Sequence, residues 1–126
     1  MKIDLLYKIA DIINGNSRHY RAIVPTSKRD YMVYQRGKLV RSSCFVLRIM
    51  ALDKAGTTRS VWNIYEKDID KIIAKVCRRD SAFANRIEQC EPTTRDVEML
   101  IRRASFIALR LKIADPLLYM YVSDDD

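Results

Sequence analysis

The first polar-apolar pattern in the chain has a helical period. Leu5, Leu6, Ile9, Ile12 and Ile13 fall on one side of a helix over residues 3–13, with Lys2, Asp4, Lys8 and Asp11 elsewhere. Asn14-Gly15-Asn16 supplies the polar, conformationally tolerant break that ends helices. A helix this short is marginal alone, so its stripe must dock on another element.

The pattern then changes to period two and to β-prone residues. Residues 19–24 (HYRAIV) predict a first strand, stopped by Pro25. Residues 26–30 are a polar turn and 31–35 (YMVYQ) a second strand. Arg36-Gly37 forms the tip of a tight hairpin, because glycine accepts positive φ. The third strand is the longest, from about Lys38 to Leu52. It begins as an alternating KLVRS and continues as a nearly all-apolar CFVLRIMAL, which predicts a central strand covered on both faces. Arg48 is the exception inside that run. Residues 53–58 turn the chain, and RSVWNIY returns as a fourth strand. The expected object is an antiparallel meander with the first helix on one face.

Helical spacing resumes after Tyr65. Asn63 and Glu66 have the spacing of a weak capping box. Ile69, Ile72, Ile73 and Val76 then make an apolar stripe, with Lys67, Lys71, Lys75, Arg78 and Arg79 on the solvent side of a helix over 66–79. Asp80-Ser81 restarts a shorter helix through Phe83, Ile87 and Cys90, closed by Pro92. Thr93-Thr94 caps a long helix over residues 95–114. Two stripes run along it, Val97-Leu100-Ile101-Ala104-Ala108-Leu111 and Met99-Phe106-Leu109-Ile113. Two apolar faces predict a helix through the middle of the domain or one shared with a second copy of the chain. Asp115-Pro116 stops it, LLYMYV (117–122) predicts a last strand for an open sheet edge, and residues 123–126 form an acidic tail. The order is α-β-β-β-β-α-α-α-β. It defines an α+β class with a mostly antiparallel sheet of four to five strands, an N-terminal helix and a C-terminal helical part, in one domain of 126 residues.

Charge sharpens the picture because it is unevenly placed. Residues 14–65 hold 10 basic side chains against two acids, Asp30 and Asp53, a net of +8. Residues 1–13 are balanced and residues 66–126 carry −1, which accounts for the formal +7 of the whole. Such asymmetry is an argument about partners. Aromatics are interleaved with these cations: Tyr20 beside Arg21, Tyr31 after Arg29, Tyr34 before Arg36, Trp62 after Arg59. Cations neutralise phosphates and aromatic faces stack on unpaired bases. The candidate contacts are therefore Arg18, Arg21, Lys28, Arg29, Arg36, Lys38 and Arg41 for phosphate, with Tyr20, Tyr31 and Tyr34 for stacking. Tyrosine and tryptophan also suit strands for packing reasons, so the same aromatics fit a core equally well.

Catalytic chemistry finds little support. Glu66, Asp68 and Asp70 fan around a helix rather than converge on a metal. His19 is the single histidine, which disfavours a zinc site and a nucleophile–base pair. Gly15, Gly37 and Gly56 are too scattered for a phosphate-cradling loop. Cys44, Cys77 and Cys90 form no CxxC and lie among apolar neighbours, as reduced cytosolic thiols do. No apolar run approaches the roughly 20 residues that span a bilayer. No cofactor is implied, and a cytoplasmic location is expected.

Three roles follow in order. The first is a non-catalytic module binding nucleic acid, RNA or DNA. The second is a small inhibitor or adaptor binding an acidic protein surface, for example a phage or mobile-element protein blocking a host nucleic-acid machine. The third is a self-assembling protein, a homodimer through helix 95–114 or strand 117–122.

Overall fold

The computed structural model describes residues 3–25, 31–42 and 45–111, with the backbone alone for 31–35 and 38–42. The fold is α+β. Helix α1 (Ile3–Asn16) leads to strands β1 (Tyr20–Ile23), β2 (Tyr31–Gln35), β3 (Lys38–Ser42), β4 (Phe45–Leu52) and β5 (Thr58–Tyr65). Helices α2 (Glu66–Arg79), α3 (Ser81–Glu88) and α4 (Thr94–Ala104) follow.

The expected single meander is replaced by two sheets. β1 passes over the next two strands and pairs antiparallel with β4, Ala22 opposite Ile49, and β4 pairs with β5, Ile49 opposite Trp62. β2 and β3 form a separate two-stranded sheet, with Val33 opposite Val40. Among the described residues the main sheet thus has three strands, in the order β1-β4-β5, not four to five. The predicted third strand is divided between β3 and β4. Its apolar second part is central, as its pattern implied; Val46 and Leu47 are both buried at an irregularity in the register, but beyond them only one face is sealed, with Ile49 buried while Arg48 and Met50 remain half-exposed.

Burial explains the layering. α1 packs on β1, β4 and α4 through Leu5, Leu6, Ile9, Ala10 and Ile13. These meet Ala22, Leu47, Ile49 and Ile64 from the sheet and Ile69, Phe83, Val97, Leu100 and Ile101 from the other helices in one core. Each fully buried isoleucine or leucine contributes about 2 kcal/mol of transfer free energy. α1 continues three residues beyond the predicted stop. Asn14 then does more than end a helix: its side-chain Nδ2 donates to the Ala22 carbonyl (3.0 Å) and its Oδ1 accepts from the Ala22 N–H (2.8 Å). One amide therefore supplies the hydrogen bonds of a missing strand neighbour to the outer edge of β1.

Two predicted caps have different outcomes. Asn63 does not cap α2. It lies within β5, its Oδ1 accepts from Arg48 Nε (3.0 Å), and Tyr65 occupies the cap position without a side-chain bond. Thr93 does cap α4: its hydroxyl accepts from the Asp96 N–H (3.1 Å), and Asp96 accepts from the Thr93 N–H (2.9 Å). The two-faced helix 95–114 ends at Ala104. Beyond it burial alternates strictly, with Ile107, Leu109 and Leu111 inside and Phe106, Ala108 and Arg110 outside, the period of an extended chain. Two periods read as one helix gave the appearance of two apolar faces. The helical dimer surface expected over 95–114 is therefore absent from residue 105 to 111. The predicted strand 117–122 lies outside the described residues.

Candidate binding surface

The free face of the main sheet follows from register. On β1, Tyr20 and Ala22 point to the core, so Arg21 and Ile23 point away from it. Across the strands this outer face carries two rows: Ile23, Arg48 and Asn63 in one, Arg21, Met50 and Val61 in the other. Ile23 and Val61 are 47% and 49% exposed. The Arg48 guanidinium carbon stands 4.8 Å from the centre of the Phe45 ring while its Nε is held by Asn63. That anchoring keeps Arg48 half-buried and flat on the sheet.

The predicted contacts divide among several locations. Arg21 is exposed on the outer face, and Arg18 is exposed in the turn before β1. That turn is shaped by Ser17 Oγ, which accepts from the N–H groups of His19 (3.1 Å) and Tyr20 (3.2 Å). Arg36 is exposed at the hairpin tip, with φ 53° beside Gly37 at φ 76°, the pair of left-handed residues of a type I′ turn. Lys38 lies opposite Gln35 and Arg41 opposite Met32 in the β2–β3 ladder, where Tyr31 faces Ser42 and Tyr34 faces Leu39. Lys28 and Arg29 lie outside the described residues. Tyr20 and Trp62 are half-buried and pack on the core. Tyr20 therefore sits on the face opposite Arg21, and one ligand cannot stack on the tyrosine and pair with Arg21 across that sheet.

Electrostatic neutralisation is local. Asp53 Oδ1 accepts from the N–H groups of Ala55 (3.0 Å) and Thr57 (2.9 Å), which shapes the β4–β5 turn, and its Oδ2 takes Arg59 Nε at 2.9 Å. In the helical half, Arg86 grips Asp96 through two bonds, Nε to Oδ2 at 2.8 Å and Nη2 to Oδ1 at 2.9 Å. Burial alone would raise the Asp96 carboxyl. The Arg86 hydrogen bond, the Thr93 N–H, the Arg86 charge and the Thr93 hydroxyl together outweigh it and hold the group below its ordinary value. Periodicity did not reveal this pair, since its partners lie ten residues apart on different helices. The outer-face position of Ile23 beside Arg21 was legible from strand parity.

Other chemistry is sparse among the described residues. No group of three or more His, Cys, Asp or Glu could hold a metal, and no helix is long and apolar enough to cross a membrane. Cys77 and Cys90 are unbridged and half-buried, and burial, then the Asp80 charge, pushes the Cys77 thiol up, away from thiolate reactivity. Fold and surface define a small α+β protein with an exposed, partly cationic sheet face. Neither a family model, nor a curated protein, nor a solved structure matches the chain.

Proposed function

We propose that the protein is a non-catalytic binding module of the cytoplasm whose basic, strand-rich part holds an anionic partner, nucleic acid before others. One observation carries this reading. Among the described residues of 14–65, the one cation tied to a carboxylate is Arg59, on Asp53 of the same part. Arg18, Arg21, Arg36 and Lys54 are exposed to solvent. Exposed cations of this kind attract polyanions and release their counterions on binding. Titration of labelled RNA and DNA at rising salt tests it. Affinity should fall with salt by a slope of about 0.9 per phosphate contact, and R18Q/R21Q should flatten that slope by about 2. Absence of binding at low salt to every nucleic acid tried sinks the reading.

The second reading, an inhibitor or adaptor for an acidic protein, is favoured by Ile23 and Val61, half-exposed beside Arg21, Met50 and Arg48. Apolar side chains among arginines suit a protein interface better than a phosphate backbone. A stoichiometric complex that survives nuclease treatment would replace the first reading with this one.

A further inference from the structure

Residues 66–126 carry −1 overall, a sum that includes the acidic tail and conceals a cationic helix face. Lys67, Lys71, Lys75, Arg78 and Arg79 of α2 are all exposed. At 3.6 residues per turn the first four fall within an arc of about 80°, with Arg79 at its margin. Ile69 is fully buried, and Ile72, Ile73 and Val76 pack on the core from the opposite side. The acids of α2 are largely displaced from this face. Asp70 is half-buried off the arc, and Glu66 begins the helix. Asp68 alone shares the arc, in the first turn. Beyond the helix, Asp80 uses its carboxylate to accept the Phe83 N–H (3.1 Å). Ala74, exposed beside the row, leaves the approach low.

Local helix energetics account for only part of the row. Arg78 and Arg79 stand in the last turn, where the helix dipole favours cations. Lys67 is the second residue of the helix, where the same dipole opposes it. From Lys67 to Arg79 the row covers about 18 Å, over which a duplex presents about ten phosphates.

We propose that the exposed face of α2 is a phosphodiester-backbone contact and that its ligand is double-stranded nucleic acid; this deepens, and rests on, the nucleic-acid reading above. The α2 face is cationic and carries no aromatic residue, so it grips charge rather than unpaired bases. Tyr20 and Trp62 pack on the core and add no stacking platform to the outer face of the main sheet. RNA and DNA duplexes share the chemistry, and parallel titrations with each identify the source.

The test compares wild type, K67Q/K71Q/K75Q and R18Q/R21Q on a duplex and on its separated strands. Glutamine keeps length and helix propensity, and circular dichroism with a thermal melt checks that each variant folds. The expected result is tighter binding of duplex than of single strand. In addition, the α2 variant should bind duplex at least tenfold more weakly at low salt, with a salt slope reduced by about 2 to 3. A folded α2 variant with unchanged affinity and slope overturns the proposal. So does a single strand that competes as well as the duplex. Loss of binding in R18Q/R21Q alone would leave the sheet reading standing without the α2 contact, and a wild type that binds no nucleic acid would remove both.

Discussion

Asp96 shows how one side chain can join two helices. It is 6% exposed, closes the capping box of α4 and receives the fork of Arg86 from α3. Replacing it by alanine removes a cap and a charge-assisted pair at once. D96A should cost about 2 kcal/mol in denaturant unfolding. The pH dependence has a definite sign. The folded carboxyl lies below its ordinary value of 3.8, so the unfolded state binds the proton more readily. The stabilisation is complete above about pH 5 and fades as pH falls through 4 towards the folded value. Wild type should therefore lose stability across that window more steeply than D96A. Parallel pH curves for the two would show that Asp96 is not the group responsible.

At the scale of elements, the sequence was most legible where one period ran long. The stripe of α1, the strand YMVYQ, the Arg36-Gly37 turn and α2 all stand where their patterns put them. It misled where two periods met. Val97, Leu100, Ile101 and Ala104 follow a helix; Ile107, Leu109 and Leu111 follow an extended chain, and the leucines and alanine of that segment favour helix, so propensity carried the helical reading past the change. Substitution separates the two assignments. L109A should cost about 3 kcal/mol, because Leu109 is 3% exposed. A108S and R110A, on the outward positions of the same segment, should each stay within about 0.5 kcal/mol of wild type. A large loss at Ala108 in the same unfolding series would restore a helical reading of the segment. Strand pairing was the other gap. Alternation assigns faces but not neighbours, so nothing in HYRAIV announced that Ala22 would lie opposite Ile49 rather than beside the next strand. The same ambiguity hid the site: the pattern assembled a continuous basic face that the register divides between two sheets.

For the whole molecule, that division separates charge from architecture. The β1-β4-β5 sheet closes without β2 and β3, and Ile23 at the end of β1 already lies opposite Arg48. The connection from residue 26 to 44 is thus a detour between strands that are neighbours. It carries Lys28, Arg29, Arg36, Lys38 and Arg41 against Asp30, a net of +4 out of the +7 of the chain. Replacing residues 26–44 by a short glycine-containing loop should preserve a single cooperative unfolding transition, since shortening a loop changes closure entropy by only about 1 kcal/mol. The variant would keep Arg18, Arg21 and the α2 row while losing more than half of the net charge. If the strand-rich part is where the anion rests, its affinity at low salt should fall by at least tenfold and its salt slope should flatten by several units. A shortened protein that folds and binds as tightly as wild type would move the anionic contact off the hairpin altogether, onto the remaining cations of β1 and α2.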